Sequence, residues 1–178
     1  KVSPGIIGIY SKKSVTTNSL NQLYLPSDLL VNGFVLTSDG WLVTHFDGLT
    51  LSDPVVIYDG EVFDITKEIK DATTGVSFIK IAATNLPVVV LGDSDEATLG
   101  QLEIVLNDLN QVVVSSIKSL DHHTISSADS FVLSSEEYNE SILLSDAFTD
   151  NYLGSPLINL GGEIVGIISD INESGMAT

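Results

Sequence analysis

Gly33-Phe34-Val35-Leu36-Thr37-Ser38-Asp39-Gly40-Trp41-Leu42-Val43-Thr44 decides the fold. Two apolar runs, Gly33–Thr37 and Trp41–Thr44, flank Ser38-Asp39-Gly40. Each run is too short for an ordinary helix, and Gly40 supplies the positive φ that a tight hairpin turn requires. The stretch reads as strand, turn, strand.

The same pattern recurs along the chain. Ile6–Tyr10, Val55–Tyr58, Val62–Ile69, Val76–Ile81, Val88–Leu91 and Leu102–Leu106 read as strands, as do Val112–Ile117, Ile142–Leu144, Pro156–Leu160 and Ile164–Ser169. All are rich in Val and Ile and bounded by Gly, Asp, Asn or Pro. Asp59-Gly60 and Gly161-Gly162 look like further hairpin turns. Such a series predicts an all-β protein of two packed six-stranded antiparallel barrels, because one twelve-stranded barrel is unusual at this length. The seam falls at Leu91–Leu99, with barrel one at about residues 1–92 and barrel two at about 98–178 of a single domain. The polar stretch Ser115–Ser141 reads as a hairpin followed by an exposed loop. Ser135–Glu140 and Asp47–Leu51 are each expected to form one turn of helix.

The 178 residues are 43% hydrophobic and 17% charged, which is globular rather than disordered composition. Lys and Arg number 7 against 24 Asp and Glu, a formal charge of −17 that repels phosphate backbones and excludes a nucleic-acid partner. There is no cysteine, hence no disulfide, thiolate metal site or cysteine nucleophile. No apolar run approaches the roughly 20 residues of a membrane span. The chain starts at Lys1 without a signal peptide, and we expect a targeting segment upstream in a longer protein.

Three segments, in order, resemble the HtrA (DegP-like) trypsin-fold serine proteases. Gly33–Thr44 is similar to the strand–turn–strand that leads to their catalytic histidine. Thr74-Gly75-Val76-Ser77-Phe78-Ile79-Lys80-Ile81, followed by Asn85-Leu86-Pro87 and Leu91-Gly92-Asp93-Ser94-Asp95, is similar to their T-D-L-A-V-I-K-I segment and L-P…L-G-D-S connection. Gly154-Ser155-Pro156-Leu157-Ile158-Asn159-Leu160-Gly161-Gly162-Glu163-Ile164-Val165-Gly166-Ile167 resembles G-N-S-G-G-P-L…N…G-x-V-I-G-I, which carries the nucleophile. The resemblance implies the trypsin-like fold, with a cleft between two perpendicular barrels. It also implies trimers, a membrane anchor outside this chain, an extracytoplasmic location (periplasm or cell surface) and a PDZ domain downstream of Thr178.

Carried over residue by residue, the resemblance implies a degenerate triad. The histidine of T-N-x-H-V falls on Asp47, the aspartate of T-D-L-A on Gly75, and the serine of G-N-S-G-G-P on Leu153. Leucine cannot attack a carbonyl, and an aspartate near pKa 4 is a poor base for serine at neutral pH. No catalytic residue is therefore assigned. The expected function is a pseudoprotease that binds extended or unfolded polypeptide, or assembles with related protease subunits. His45, Asp47, Tyr152, Leu153 and Ser155 are its cleft candidates. Asn151 and Ser155 replace glycines of the nucleophile turn, and a Cβ at either is expected to resist positive φ.

The alternative is an active endopeptidase with a shifted site. His45 lies two residues before the base position and Ser155 two after the nucleophile position, so both would have to be displaced and still meet. His45, Asp47, His122 and His123 match no zinc signature, so neither metal nor cofactor is expected. The acidic clusters Asp93/Asp95/Glu96, Glu136/Glu137/Glu140 and Asp146/Asp150 read as solvated surface.

Overall fold

The computed structural model describes residues 3–13, 23–45, 53–71, 74–125, 136–172 and 175–178. Alternation builds its first half. In Ser77–Ile81 (β6), Ser77, Ile79 and Ile81 are buried while Phe78 and Lys80 are half-buried. This is the period of two that puts one face of a strand into a core. Ile6–Ser11 (β1), Leu29–Val35 (β2), Trp41–Thr44 (β3), Pro54–Tyr58 (β4) and Glu61–Lys70 (β5) join β6 in a closed barrel of order β1-β2-β3-β6-β5-β4.

Glycine is required at the first hairpin. Gly40 has φ +102°, and a Cβ there would lie 2.4 Å from the Ile81 carbonyl oxygen. The turn is thus pressed onto β6 as well as being left-handed. Asp59 and Gly60, at φ 50° and 78°, close the β4–β5 hairpin, with Tyr58 opposite Glu61. Positive φ at both central residues is the type I′ signature, which matches the twist of the flanking strands.

The second half curls as expected, with five strands among the described residues. Leu102–Leu106 (β7), Val112–Ile125 (β8), Glu136–Leu144 (β9), Pro156–Ile158 (β10) and Ile164–Ile167 (β11) form a curled five-stranded sheet of order β11-β10-β7-β8-β9. Gly175–Thr178 lies along its opening through isolated bridges, Met176 to Ala147 and Ala177 to Ile171.

Residues 136–140 are strand, where a helical turn was expected. Glu136 pairs with Ile125 and Glu137 with Thr124, so ladder bonds to β8 override the local polar composition. The turn expected over Asp47–Leu51 lies outside the described residues. Val88–Leu91 is an extended connection rather than a full strand. It touches β11 through a parallel bridge from Leu91 to Ile164.

Three apolar clusters follow. Ile7, Ile9, Val35, Leu42, Ile79 and Ile81 fill the barrel. Val105, Ile117, Leu144, Leu157 and Ile168 line the second sheet. Ile6, Phe34 and Val43 of the barrel meet Val89, Leu106, Ile158 and Ile164 across the boundary. This third cluster fixes how the two halves face each other.

Candidate active-site cleft

Two chain ends of the barrel meet at the cleft. His45 follows β3 directly and is half-buried. Gly75 precedes β6, in a turn held by Gly75 N–H to the Asp71 carbonyl (2.9 Å) and by Thr74 Oγ1 to Asp71 Oδ2 (2.7 Å). Gly75 has φ +73°, and a Cβ there would sit 2.9 Å from His45 Nε2. The imidazole therefore occupies the space in front of the position to which the resemblance assigned an aspartate. Asp47 lies outside the described residues.

The third position is in a 3₁₀ turn, Asp150–Tyr152. Leu153 follows it, half-buried, and packs against both the barrel core and the second-sheet core. Its N–H donates to the Asp150 carbonyl at 3.0 Å. In a serine protease the N–H of the nucleophile residue is one of the two donors that hold the oxyanion. Here that donor is spent inside the turn.

Asn32 of β2 holds this turn from beneath. It is fully buried, and its Nδ2 donates to the carbonyls of Asn151 (2.7 Å) and Leu153 (3.0 Å). Its backbone N–H also reaches the Leu153 carbonyl, at 2.8 Å. Its Oδ1 accepts from the Asp108 N–H at 2.9 Å. The Asp108 carboxylate in turn accepts from Tyr10 Oη at 2.8 Å. Burial raises the Asp108 pKa and the Tyr10 hydrogen bond pulls it back down. One amide thus joins β2, the β7–β8 turn and the nucleophile turn.

The strain expected at Asn151 and Ser155 is absent, since neither has positive φ; within the turn that conformation belongs to Gly154, at +72°. Tyr152, expected in the cleft, is instead buried in the second core. Its ring lies edge-on to Phe148 at 5.5 Å between centroids. Ser155 is fully buried and its Oγ has no hydrogen-bond partner among the described residues. The Ser155 hydroxyl thus makes no hydrogen bond to His45. His122 and His123 stand at β8 positions paired with Asn139 and Tyr138, rather than in a loop. Among the described residues no cluster of three or more His, Asp or Glu is placed to hold a metal.

The cleft retains a cavity of about 210 Å³. His45, Thr74 and Val76 line it from the barrel, and Ser141, Ile167 and Ser169 from the second sheet. Asn32, Asp108 and the buried Glu103 were not singled out in the sequence. A polar residue inside the apolar run Leu29–Val35 was the available signal for Asn32.

Residues 31–167 match the family model of the trypsin-like peptidase domain. The chain belongs to that family. It is similar to a "Probable periplasmic serine endoprotease DegP-like" of Halomonas elongata, 30% identical over 147 residues, or 80% of this chain and 29% of that protein. A protein of the same description from Pseudomonas putida is 29% identical over the same length, again covering 80% of this chain and 29% of the relative. One from Marinomonas is 25% identical over 207 residues, covering 96% of this chain and 42% of the relative. The chain spans less than a third of the length of the first two relatives.

Proposed function

We propose that this chain is a catalytically silent HtrA-like domain that holds extended polypeptide in the cleft between its two halves, outside the cytoplasm as its periplasmic relatives are named. One observation carries the reading: the nucleophile position is a leucine whose N–H is bonded to the Asp150 carbonyl. Nucleophile and oxyanion donor are lost together, and each alone is worth orders of magnitude in rate. The cleft supports the binding half of the reading, because the cavity is lined by Val76 and Ile167 and rimmed by hydroxyls.

Two measurements with reduced, alkylated casein test it. The domain should retain casein on a column without cleaving it, and a fluorophosphonate probe should leave it unlabelled. Cleavage or labelling would establish the endopeptidase instead. Failure to retain any unfolded polypeptide would remove the binding role.

A further inference from the structure

The end of the barrel away from the cleft carries a second hollow. Gly75 precedes β6 and Ala82 follows it, so the cleft and this hollow stand at opposite ends of that strand. Ala83 and Leu86 plug the barrel core here, and the Leu86 N–H donates to the Ser38 carbonyl at 3.1 Å. The β4–β5 hairpin runs past this plug. A cavity of about 350 Å³ lies between the two.

Strand register fixes which hairpin side chains share its inner face. Tyr58 is paired with Glu61 and Val56 with Phe63. Directly paired residues lie on one face of a sheet, as do residues two apart along a strand. Val56 is fully buried in the barrel core, so Tyr58, Glu61 and Phe63 are all on the core-facing side. Tyr58 and Phe63 pack against that core and remain half-buried. Glu61 has run past it and is exposed at the mouth, beside the exposed Asp59 of the turn. Neither carboxylate forms an ion pair among the described residues. The cavity thus combines two aromatic side chains held by the core, two unpaired carboxylates and no cation.

We propose that this hollow receives the side chain of an arginine presented by another protein. A guanidinium is flat and weakly hydrated; it stacks on aromatic rings while its edge donates to carboxylates. Tyr58 and Phe63 are the stacking groups, and Glu61 and Asp59 the acceptors. The partner is not a second copy of this chain. All seven of its cations are lysines, it has no arginine, and a charge of −17 repels its own kind while attracting a basic surface. The site is independent of the cleft and stands whether or not the cleft holds polypeptide.

The probe is a capped pentapeptide with one arginine between serines and glycines, titrated into the nitrogen-15-labelled domain. Saturable shifts should be confined to Tyr58–Phe63 and Ala82–Leu86. The same peptide with citrulline, which keeps the shape and loses the charge, should bind about tenfold or more weakly, as expected for losing hydrogen bonds to charged groups. Glu61→Gln, an exposed substitution, should weaken the arginine peptide by about the same factor. Phe63→Leu should weaken it severalfold with the fold intact. Equal binding of the arginine and citrulline peptides would overturn the site. So would shifts spread over the acidic surface and undiminished in Glu61→Gln. Shifts confined to His45, Thr74 and Val76 would overturn this site and assign the peptide to the cleft. A lysine peptide that binds as tightly as the arginine one would overturn the choice of arginine.

Discussion

The His45 imidazole fills the space that a side chain at Gly75 would need, with Nε2 2.9 Å from where its Cβ would be. A carboxylate cannot be restored at Gly75 while that ring stays in place. The triple change Asp47→His, Gly75→Asp and Leu153→Ser should therefore not yield a working protease. The new aspartate would meet both the ring and a φ of +73°, and the new serine would inherit an N–H bonded to Asp150. Casein turnover by the triple mutant should stay at background. Turnover at the rate of an active relative would show that the turn rearranges readily and that only the triad was lost.

Gly154 should be the least replaceable residue of the nucleophile turn. A Cβ there would lie 2.1 Å from the Asn32 carbonyl oxygen, which is backbone and cannot step aside, and φ is +72°. Gly154→Ala should cost about 3 kcal/mol or more, the conformational term alone being roughly 1–2 kcal/mol. Urea unfolding measures this, and a loss under about 1 kcal/mol would mean that the turn does not seat on β2.

Asn32→Leu keeps the volume and removes the amide. The Asp108 N–H loses its partner inside the protein, at roughly 1–3 kcal/mol for a buried orphan, while the Asn151 carbonyl keeps the hydrogen bond that Asn107 Nδ2 donates at 3.3 Å. A drop of about 2 kcal/mol in unfolding free energy is expected. The Leu153 N–H should also exchange faster with solvent, because the turn is no longer tied from below. A variant of wild-type stability would show that water replaces the amide at little cost.

Stability should rise on mild acidification. Glu103 is fully buried on β7; one oxygen accepts from Gln101 Nε2 at 2.7 Å and the other has no partner among the described residues. Burial lifts its pKa above the ordinary 4.5, only partly offset by Gln101. A carboxyl whose folded pKa is raised binds its proton more tightly in the native state. Its penalty is present above the folded pKa and fades as pH falls through it. Asp108 shifts in the same direction. Asp28 and Asp39 oppose them at lower pH: hydrogen bonds from Lys13 and Lys80 lower both from 3.8, so their contribution is lost as pH falls through those depressed values. The melting temperature should rise as pH falls from neutral toward the ordinary Glu103 value of 4.5, and Glu103→Gln should flatten the rise. A Glu103→Gln profile parallel to wild type would assign the effect to the surplus of surface charge.

The strands and their pairing were legible where apolar alternation meets a turn residue. Gly33–Thr44 folds as read because its pattern and its glycine agree. Residues 136–140 were misread because only β8 gives that polar segment a reason to be extended. Tyr152 was assigned to the cleft by its position beside the nucleophile site, but the 3₁₀ turn rotates it into the core next to Phe148. The strain placed on Asn151 and Ser155 assumed that their glycine predecessors served for φ, and the turn meets that need at Gly154 alone. Asn32 and Glu103 were unreadable for a different reason: what matters about each is an acceptor or donor far along the chain, and one sequence does not show which.

The Asn32 amide spans 119 residues to Asn151 and 121 to Leu153. Contacts that remote form only after the intervening chain has closed a long loop, which slows folding. The nucleophile turn must therefore remain unanchored until the barrel has placed β2 and the second sheet has placed the turn opposite it. The site is a late acquisition of folding. A chaperone, a protease or a binding partner that meets the nascent chain meets a nearly finished domain without a cleft.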